Sequence, residues 1–321
     1  MRVSIAMATY NGGKYLSEQL ESFISQTRPP DELIVCDDRS TDNTVEVLNR
    51  FKSVAPFEVN IYINDINIGY TKNFEKAISV CSGDVIFLSD QDDVWEATKI
   101  LLVTSKFSEN SSIHVIINDA KYADDNLKLS GATVLQHVTK IGGGENTHIQ
   151  GSCTAITAMF RDFILPLPVD HCPVHDVYIH RWAKLLCVRR VLNKPLQLWR
   201  IHGRNNSNTV FSQLKILSNY DLYKKFKNVN PTNSYIEHVA EFETMTELLI
   251  TRRTELDLIC SPATVGEAQQ QIDGYIEAHK NRSRLTSLGW IGRKNLAVRM
   301  MLSGQYKYFY GFKSFVKDII R

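Results

Sequence analysis

Three carboxylates stand at the end of one apolar run. Asp90-Gln91-Asp92-Asp93 follows residues 84–88 after a single serine, Ser89, and the composition of 84–88 is typical of a buried strand. Carboxylates this close repel one another unless a cation neutralises them, and Mg²⁺ and Mn²⁺ favour carboxylate oxygens. Because open α/β sheets bind ligands at the carboxyl ends of their strands, the sequence predicts a divalent metal site here. The alternative is a solvated acidic turn that caps the following helix.

The segments around this cluster alternate between strand and helix patterns. Apolar runs at 3–9, 32–36, 59–63, 84–88 and 113–119 predict strands. Apolar residues at helical spacing mark the segments between the first four, at 16–24, 45–51 and 74–81. This alternation predicts an α/β fold with a Rossmann-like, doubly wound and mostly parallel sheet.

The second half of the chain changes character gradually. We expect a loop at the glycines 142–144, a helix over 175–182 and a late strand over 196–201. Beyond about residue 210 the pattern becomes helical and includes a long charged segment, 237–258. The predicted domains are therefore 1–210, which is α/β, and 211–321, which is mainly helical.

Charge is segregated along the chain. The net charge is +2, yet residues 280–321 carry ten Lys and Arg side chains against one acid, Asp318. Aromatic residues lie among these cations, which suits an interfacial helix on an anionic membrane. Packing on the rest of the chain is the alternative, and nucleic acid is disfavoured because no motif that recognises bases accompanies the charge.

The six cysteines are scattered without a CxxC pair, so reduced thiols are expected. Cys172 and His175, with His171 beside them, have a zinc-like spacing, but no second pair completes a four-ligand set. The chain shows neither a signal-peptide pattern nor an apolar run long enough to span a membrane. We therefore expect a cytoplasmic protein, with peripheral contact to the inner membrane through the basic tail as a further expectation.

Four motifs in order resemble a known enzyme family. They are Ala8-Thr9-Tyr10-Asn11, residues 36–44, Asn67-Ile68-Gly69 with Lys72-Asn73-Phe74, and the acidic cluster 90–93. A lone DxD carries little information, but this ordered set resembles the donor half of family 2 glycosyltransferases, which have the GT-A fold. The resemblance is strong over residues 3–95 and weaker to about 206. It implies that domain 1–210 binds a nucleotide sugar and an acceptor and transfers the sugar.

The resemblance also implies roles for individual residues. Asp92 would bind Mn²⁺ or Mg²⁺ to stabilise the departing diphosphate, His202 would reach the same metal, and Asp93 would brace the site. Tyr10 would pack on the base, and Asp38 would accept the imide N–H of uracil or thymine. Further contacts to the nucleotide sugar are expected from Ala8, Asn67, Lys72, Asp90, Gln91, Gly151 and Arg200. For Asp37 and Asp38, simple capping of the following helix is the alternative.

The acceptor hydroxyl needs a base, because it is a poor nucleophile near neutral pH. Asp176 stands where the family has the carboxylate that takes this proton in a single inverting displacement, and His175 replaces the usual acidic neighbour. A carboxylate that merely favours the helix N-terminus is the alternative for Asp176. Gln197-x-x-Arg200 is similar to a motif of processive synthases, but Ile201 replaces its Trp, so transfer of a single sugar is expected.

Within the family, the sequence looks most like rhamnosyltransferases of bacterial O-antigen and surface polysaccharide assembly. That likeness implies dTDP-rhamnose as the donor and a lipid-linked glycan as the acceptor. The alternatives are a glucosyl-, galactosyl- or N-acetylhexosaminyltransferase that uses a UDP-sugar, a nucleotidyltransferase that makes sugar nucleotides, and a catalytically silent sugar-nucleotide or membrane scaffold.

Overall fold

The computed structural model describes residues 1–140, 150–168, 174–203, 205, 232–309 and 311–320. The chain divides into two compact units, residues 1–169 with 174–225 and residues 170–173 with 226–321. The expected boundary at 210, the expected loop at 142–144, and His171 and Cys172 of the zinc alternative lie outside the described residues.

Nine strands in the described part of the first unit form one sheet. They are β1 (Val3–Thr9), β2 (Glu32–Asp37), β3 (Glu58–Ile63), β4 (Val85–Ser89), β5 (Val94–Trp95), β6 (Val115–Ala123), β7 (Leu129–Thr133), β8 (Thr154–Thr157) and β9 (Arg189–Arg200). The order is β3-β2-β1-β4-β8-β6-β9-β5, with β7 beside β6. The first four are parallel, whereas β8 runs antiparallel to both of its neighbours.

Twelve α-helices are described. In the first unit they are α1 (Leu16–Ile24), α2 (Thr44–Lys52), α3 (Tyr70–Ser79), α4 (Lys99–Glu109), α5 (Val134–Lys140), α6 (Ala158–Ile164) and α7 (His175–Leu185). In the second unit they are α8 (Thr232–Thr251), α9 (Arg253–Ile259), α10 (Pro262–Ser287), α11 (Trp290–Leu302) and α12 (Phe312–Ile320). Short 3₁₀ turns span Gly151–Cys153 and Gln305–Tyr308. The predicted α/β fold with a helical C-terminal region is therefore confirmed.

The charged segment expected at 237–258 is two helices rather than one. The Thr251 hydroxyl donates to the Glu247 carbonyl, and Arg252 has φ −108° and ψ 32°, which interrupts the helix. A hydroxyl that bonds back to the preceding turn competes with the regular helical pattern. Helix α9 then starts at Arg253.

The core of the first unit explains why its strands are continuous apolar runs. Every residue of β2 and β4 is buried, as expected for parallel strands that are covered on both faces. Helix α1 contributes Leu16, Leu20 and Phe23, and the Phe23 ring meets the Trp95 ring edge-on at 4.8 Å between centroids. This packing fixes β4 and β5, and with them the loop of carboxylates that joins the two strands.

The parallel register brings three polar segments to one edge of the sheet. Thr9 at the end of β1 lies opposite Asp37 at the end of β2, and Met7 lies opposite Ser89 at the end of β4. Residues that follow these three strand ends therefore emerge side by side.

The second unit has a small core of its own. Leu285, Ala297, Met300 and Tyr306 are buried together. Next to them, the Arg282 guanidinium donates to both carboxylate oxygens of Asp318, at 3.0 and 3.3 Å. Tyr306 donates its hydroxyl to the same carboxylate at 3.1 Å, and Arg282 lies over the Phe309 ring. The one acid of the basic tail is thus a buried partner that joins α10 to α12.

We predict that Asp318→Ala destabilises the second unit by about 3–5 kcal/mol, because it leaves the Arg282 charge buried without its partner. Glu243→Ala is the control, since Glu243 pairs with Lys280 on the surface and its loss costs at most about 1 kcal/mol. Urea unfolding followed by circular dichroism measures both. Equal midpoints for the two variants would contradict the prediction.

Candidate active site

The candidate site lies at the edge where β1, β2 and β4 end. The loop between β4 and β5 carries Asp90, Asp92 and Asp93, and the C-terminal end of β9 and the 3₁₀ turn at 151–153 lie against this loop. The structure thus brings the three carboxylates together at the carboxyl end of a buried strand, where the sequence predicts them.

Asp93 is fully buried, and its hydrogen bonds fix this loop to neighbouring segments of the chain. Its Oδ2 accepts the Ser152 hydroxyl at 2.7 Å and the Gln197 side-chain amide at 2.9 Å. Its Oδ1 accepts the backbone N–H of Arg200 at 3.3 Å. Burial, together with the charges of Asp92 and Asp90, raises the pKa of Asp93 well above its ordinary value. These contacts join the β4–β5 loop to the 3₁₀ turn and to β9.

Lys99 is fully buried next to Ser152 and Gln197, the two side-chain partners of Asp93. Its Nζ donates to the Ser152 carbonyl at 3.0 Å and to Gln197 Oε1, and it lies 3.9 Å from the centroid of the Trp95 ring. Burial lowers the pKa of Lys99 to about 8, and the charge of Asp93 opposes that shift. The ammonium therefore supplies positive charge below the carboxylates and orients the Gln197 amide toward Asp93.

Asp90 faces the other side of the loop. Its Oδ2 accepts the Gln150 side-chain amide at 3.0 Å. Burial, then the charge of Asp92, raises the pKa of Asp90 to about 7, and the charge of Asp176 adds to the shift. The charges of Asp92 and Asp176 thus both act on Asp90, and a cation bound nearby would favour the ionised form of Asp90.

Asp92 and His202 have the chemistry of divalent metal ligands. Asp92 Oδ2 lies 2.9 Å from His202 Nε2, and the imidazole stacks on the Tyr15 ring at 4.4 Å between centroids. Across the described residues, no group of three or more His, Cys, Asp and Glu side chains is arranged to hold a metal. The pair fits an ion that keeps water and phosphate oxygens in the rest of its shell, as Mg²⁺ does.

Arg200 is buried and braces the same loop. Its guanidinium donates to the backbone carbonyls of Asp92 and Asp125, both at 2.8 Å, and to the Glu18 carboxylate at 2.7 Å. It also lies over the Tyr15 ring. Its predicted contact with the nucleotide sugar stays a prediction.

Gln91 is tied to the end of β1. Its side-chain amide donates to the Tyr10 carbonyl at 3.0 Å and accepts the Tyr10 N–H at 2.9 Å. A side chain on Gly12 would overlap Gln91, since a Cβ there would lie 2.1 Å from Oε1. These two hydrogen bonds hold the backbone of Tyr10, and the Tyr10 ring is exposed beside the half-buried Ala8. Tyr10 is thus accessible for the predicted stacking on a base.

Asp38 organises the loop that leads to α3. Its carboxylate accepts the Asn64 side-chain amide at 2.9 Å and the backbone N–H groups of Ile68 and Gly69 at 2.8 and 2.9 Å. Asn67 is exposed and donates to the Asp38 carbonyl at 3.2 Å. Lys72 is also exposed, one turn into α3.

Asp37 holds the turn after β2 and does not cap the following helix, which starts at Thr44. It accepts the Ser40 N–H and hydroxyl at 2.8 and 2.6 Å and the Thr9 hydroxyl at 2.8 Å. Because these bonds hold the turn after β2, they fix the orientation of the neighbouring Asp38.

Gly151 and Asp176 are in close contact. A Cβ on Gly151 would lie 2.9 Å from both Cβ and Oδ2 of Asp176 and 3.1 Å from His175 Nε2, so a larger residue does not fit. His175 stacks on Phe74 at 4.2 Å between ring centroids. Asp176, in the first turn of α7, lies near enough to Asp90 for its charge to raise the pKa of that carboxyl.

Sequence reasoning missed the residues that support this cluster. The sequence does not single out Lys99, and it indicates Gln150 and Ser152 only as the neighbours of Gly151 and Gln197 only through its spacing to Arg200.

Comparison with known proteins decides the family. The model of the family described as "Glycosyl transferase family 2" matches residues 4–165, half of the chain and all strands from β1 to β8. The chain belongs to glycosyltransferase family 2. The predicted family is confirmed, and the matched region contains the acidic cluster and Gly151 but ends before Asp176 and Arg200.

Curated relatives of this family 2 glycosyltransferase come from bacteria. An uncharacterised glycosyltransferase of Nostoc sp. is 25% identical over 74% of this chain and 74% of its own length. The dTDP-rhamnosyl transferase RfbG of Shigella flexneri is 28% identical over 62% of this chain and 72% of its own. The Escherichia coli UDP-Glc:alpha-D-GlcNAc-diphosphoundecaprenol beta-1,3-glucosyltransferase WfgD is 33% identical, but over 34% of this chain and 42% of its own.

Solved structures show the same fold. S. aureus TarS 1–349 in complex with UDP-GlcNAc is similar over 99% of this chain and 89% of its own, with a TM-score of 0.58 at 14% identity. A Pyrobaculum calidifontis mannosyltransferase, solved with GDP-Man and Mn²⁺, is similar over 99% and 84%, with a TM-score of 0.51 at 13% identity. This family 2 glycosyltransferase therefore has the predicted GT-A fold.

We predict that Lys99→Met lowers the free energy of unfolding of the first unit by about 2 kcal/mol, because Gln197 and the Ser152 carbonyl lose their buried donor. Lys106→Met is the matched control. Lys106 lies on the same helix, where it pairs with Glu109 at the surface, so its loss costs about 0.5 kcal/mol or less. Equilibrium denaturation measures both variants, and a Lys99→Met protein as stable as the wild type would contradict the prediction.

Proposed function

We propose that this protein transfers a single sugar, with inversion at the anomeric carbon, from a nucleotide diphosphate to a glycan acceptor, and that it uses Mn²⁺ or Mg²⁺. The observation that carries the proposal is the packing of Asp176 against Gly151, whose neighbours Gln150 and Ser152 bond to Asp90 and Asp93 of the acidic loop. Leaving-group stabilisation and proton removal are the two tasks of the reaction, and this arrangement offers a carboxylate for each at one edge of the sheet.

Departure of the nucleotide is assigned to Asp92 and His202. When bound, a divalent cation would neutralise charge that develops on the leaving diphosphate. Asp92 is held by its backbone, since Arg200 binds its carbonyl at 2.8 Å, and its carboxylate meets His202. A fixed ligand needs little reorganisation on binding, which favours catalysis. The mannosyltransferase solved with Mn²⁺ has the same fold, which supports this assignment.

Removal of the acceptor proton is assigned to Asp176. It lies in the first turn of α7, where the helix dipole favours the ionised form that a base requires. Attack by the deprotonating hydroxyl on the face opposite the nucleotide inverts the anomeric centre, and no covalent intermediate is needed. Gly151 lets the chain approach this carboxylate closely, because any side chain there would overlap Asp176.

Base selection is assigned to Tyr10 and Asp38. An ionised carboxylate has about four acceptor positions, and donors in the described part of the chain fill three of those on Asp38. The fourth can accept the imide N–H of uracil or thymine, which cytosine lacks. Ala8, Asn67, Lys72, Asp90, Gln91, Gly151 and Arg200 are proposed as the other contacts of the nucleotide sugar.

The best candidate for the donor is dTDP-rhamnose, since RfbG of Shigella flexneri is a dTDP-rhamnosyl transferase. A UDP-hexose is the alternative, supported by the UDP-GlcNAc bound to TarS and by the UDP-Glc in the name of WfgD. WfgD acts on a diphosphoundecaprenol-linked sugar, which supports a lipid-linked acceptor for this chain in O-antigen or surface polysaccharide assembly. We propose a cytoplasmic location, where the five described cysteines would stay free thiols, as they are in the structure.

A donor panel tests the reaction class. We predict that one of the dTDP-rhamnose, UDP-glucose, UDP-galactose and UDP-GlcNAc donors is turned over when Mn²⁺ or Mg²⁺ is present, with release of the nucleoside diphosphate, and that EDTA abolishes turnover. Coupled detection of UDP or dTDP is the measurement. Release of pyrophosphate from a nucleoside triphosphate, or consumption of no donor with metal present, would overturn the proposal.

The role of Asp176 as the general base is tested separately. We predict that Asp176→Asn lowers kcat for sugar transfer by about 10²–10⁴-fold, since the amide takes no proton, while the affinity for UDP or dTDP changes less than about threefold. Asp162→Asn is the control, an exposed carboxylate of the same unit, and should keep wild-type kcat. Asp176 would lose its assigned role if its variant retained full kcat.

A further inference from the structure

Helix α11 carries an apolar stripe on its exposed face. The stripe consists of Trp290, Ile291, Val298, Met301 and Leu302, all exposed. At 100° per residue these positions fall within one 120° sector of the helix, whereas the buried Ala297 and Met300 fall outside it. The exposed fractions of Ile291 and Leu302 reach 68% and 84%. An amphipathic helix of a soluble protein normally turns such a stripe toward its core.

Helix α12 repeats the pattern. Phe312 and Ile320 are exposed at 65% and 78%, and the half-buried Val316 lies between them on the same side of the helix. Ser314 and Asp318 are buried on the other side. Two helices that share one small core therefore each present apolar side chains to solvent.

Cations border both stripes. Lys294 lies within the stripe of α11, with Nζ 3.8 Å from the centroid of the Trp290 ring. Lys313 and Lys317 are exposed beside the stripe of α12, and Arg299 is exposed at the edge of that of α11. Asp318 is the sole acid among residues 280–321, and it is buried against Arg282. The exposed charges described around the two stripes are therefore positive.

We propose that α11 and α12 bind the surface of an anionic lipid bilayer, with the apolar stripes at the level of the headgroups and the lysines on lipid phosphates. Apolar side chains flanked by lysines and accompanied by Trp fit this boundary, and charge complementarity selects anionic over neutral lipid. No helix in the described ranges is long and apolar enough to cross a membrane. The proposal rests on the surface of the second unit alone, so it is independent of the proposed transfer reaction.

Vesicle flotation of the full chain tests the proposal. The expected result is co-flotation with vesicles of phosphatidylcholine that contain phosphatidylglycerol, no flotation with phosphatidylcholine alone, and release at high salt because the ionic part is screened. Equal flotation with neutral vesicles, or none with either, would overturn it.

A matched pair of double variants locates the surface. Ile291→Ser with Leu302→Ser should weaken partitioning into anionic vesicles by about tenfold or more, since the stripe of α11 loses its apolar anchors. Ile250→Ser with Leu258→Ser is the control in the same unit, because these side chains are 71% and 67% exposed but lie on α8 and α9. The control should float like the wild type, and equal loss in both variants would contradict the assignment.

If the apolar stripes are covered by protein rather than by lipid, the experiments give different results. If a second copy covers them, sedimentation velocity shows a wild-type dimer that the Ile291→Ser, Leu302→Ser variant loses. If another part of the same chain covers them, that variant unfolds at a lower temperature than the Ile250→Ser, Leu258→Ser control. Either result, without anionic-vesicle binding by the wild type, would overturn the membrane proposal.

Discussion

The buried carboxylate of Asp93 is the constraint on which the rest of the site depends. An ionisable group this deep in the protein is costly unless donors surround it. Here Ser152, Gln197 and the Arg200 N–H supply them, and each comes from a different part of the chain than the carboxylate. Lys99 then holds Ser152 and Gln197 from below. The loop of carboxylates can therefore take its position only when β9 and the 3₁₀ turn are in place.

Neighbouring acidic residues in this site have different roles: some hold the loops in place, and others are proposed to bind metal and donor. The carboxylates of Asp93 and Asp37 accept hydrogen bonds that hold the loops of the protein. The carboxylate of Asp92 contacts His202 instead, and that of Asp90 accepts the side-chain amide of Gln150. Burial, and then repulsion among the neighbouring carboxylates, raises the pKa values of Asp90 and Asp93. A divalent cation held by Asp92 would relieve that repulsion, which is consistent with the proposal that metal and nucleotide sugar bind together.

Local patterns were sufficient to predict the donor half. The apolar run before Asp90 is a strand because its residues are buried on both faces, and the parallel sheet then places the loops after β1, β2 and β4 together. The partners of Asp93 were not predictable, because Ser152 and Gln197 lie 59 and 104 positions away in the sequence. Lys99 looked like an ordinary helix lysine, since such side chains usually reach solvent. Arg200 was assigned to the donor, yet its guanidinium binds Asp92, Asp125 and Glu18, contacts that no spacing rule indicates.

In the proposed mechanism, protein and nucleotide share one metal, and each supplies an incomplete set of its ligands. Calorimetric titration of Mn²⁺ with and without UDP or dTDP tests it most directly. We expect the nucleotide to raise the affinity for Mn²⁺ by about tenfold or more and Mn²⁺ to raise the affinity for the nucleotide by the same factor, and we expect Asp92→Asn to remove this coupling. Equal Mn²⁺ affinity with and without nucleotide, or unchanged coupling in Asp92→Asn, would contradict it.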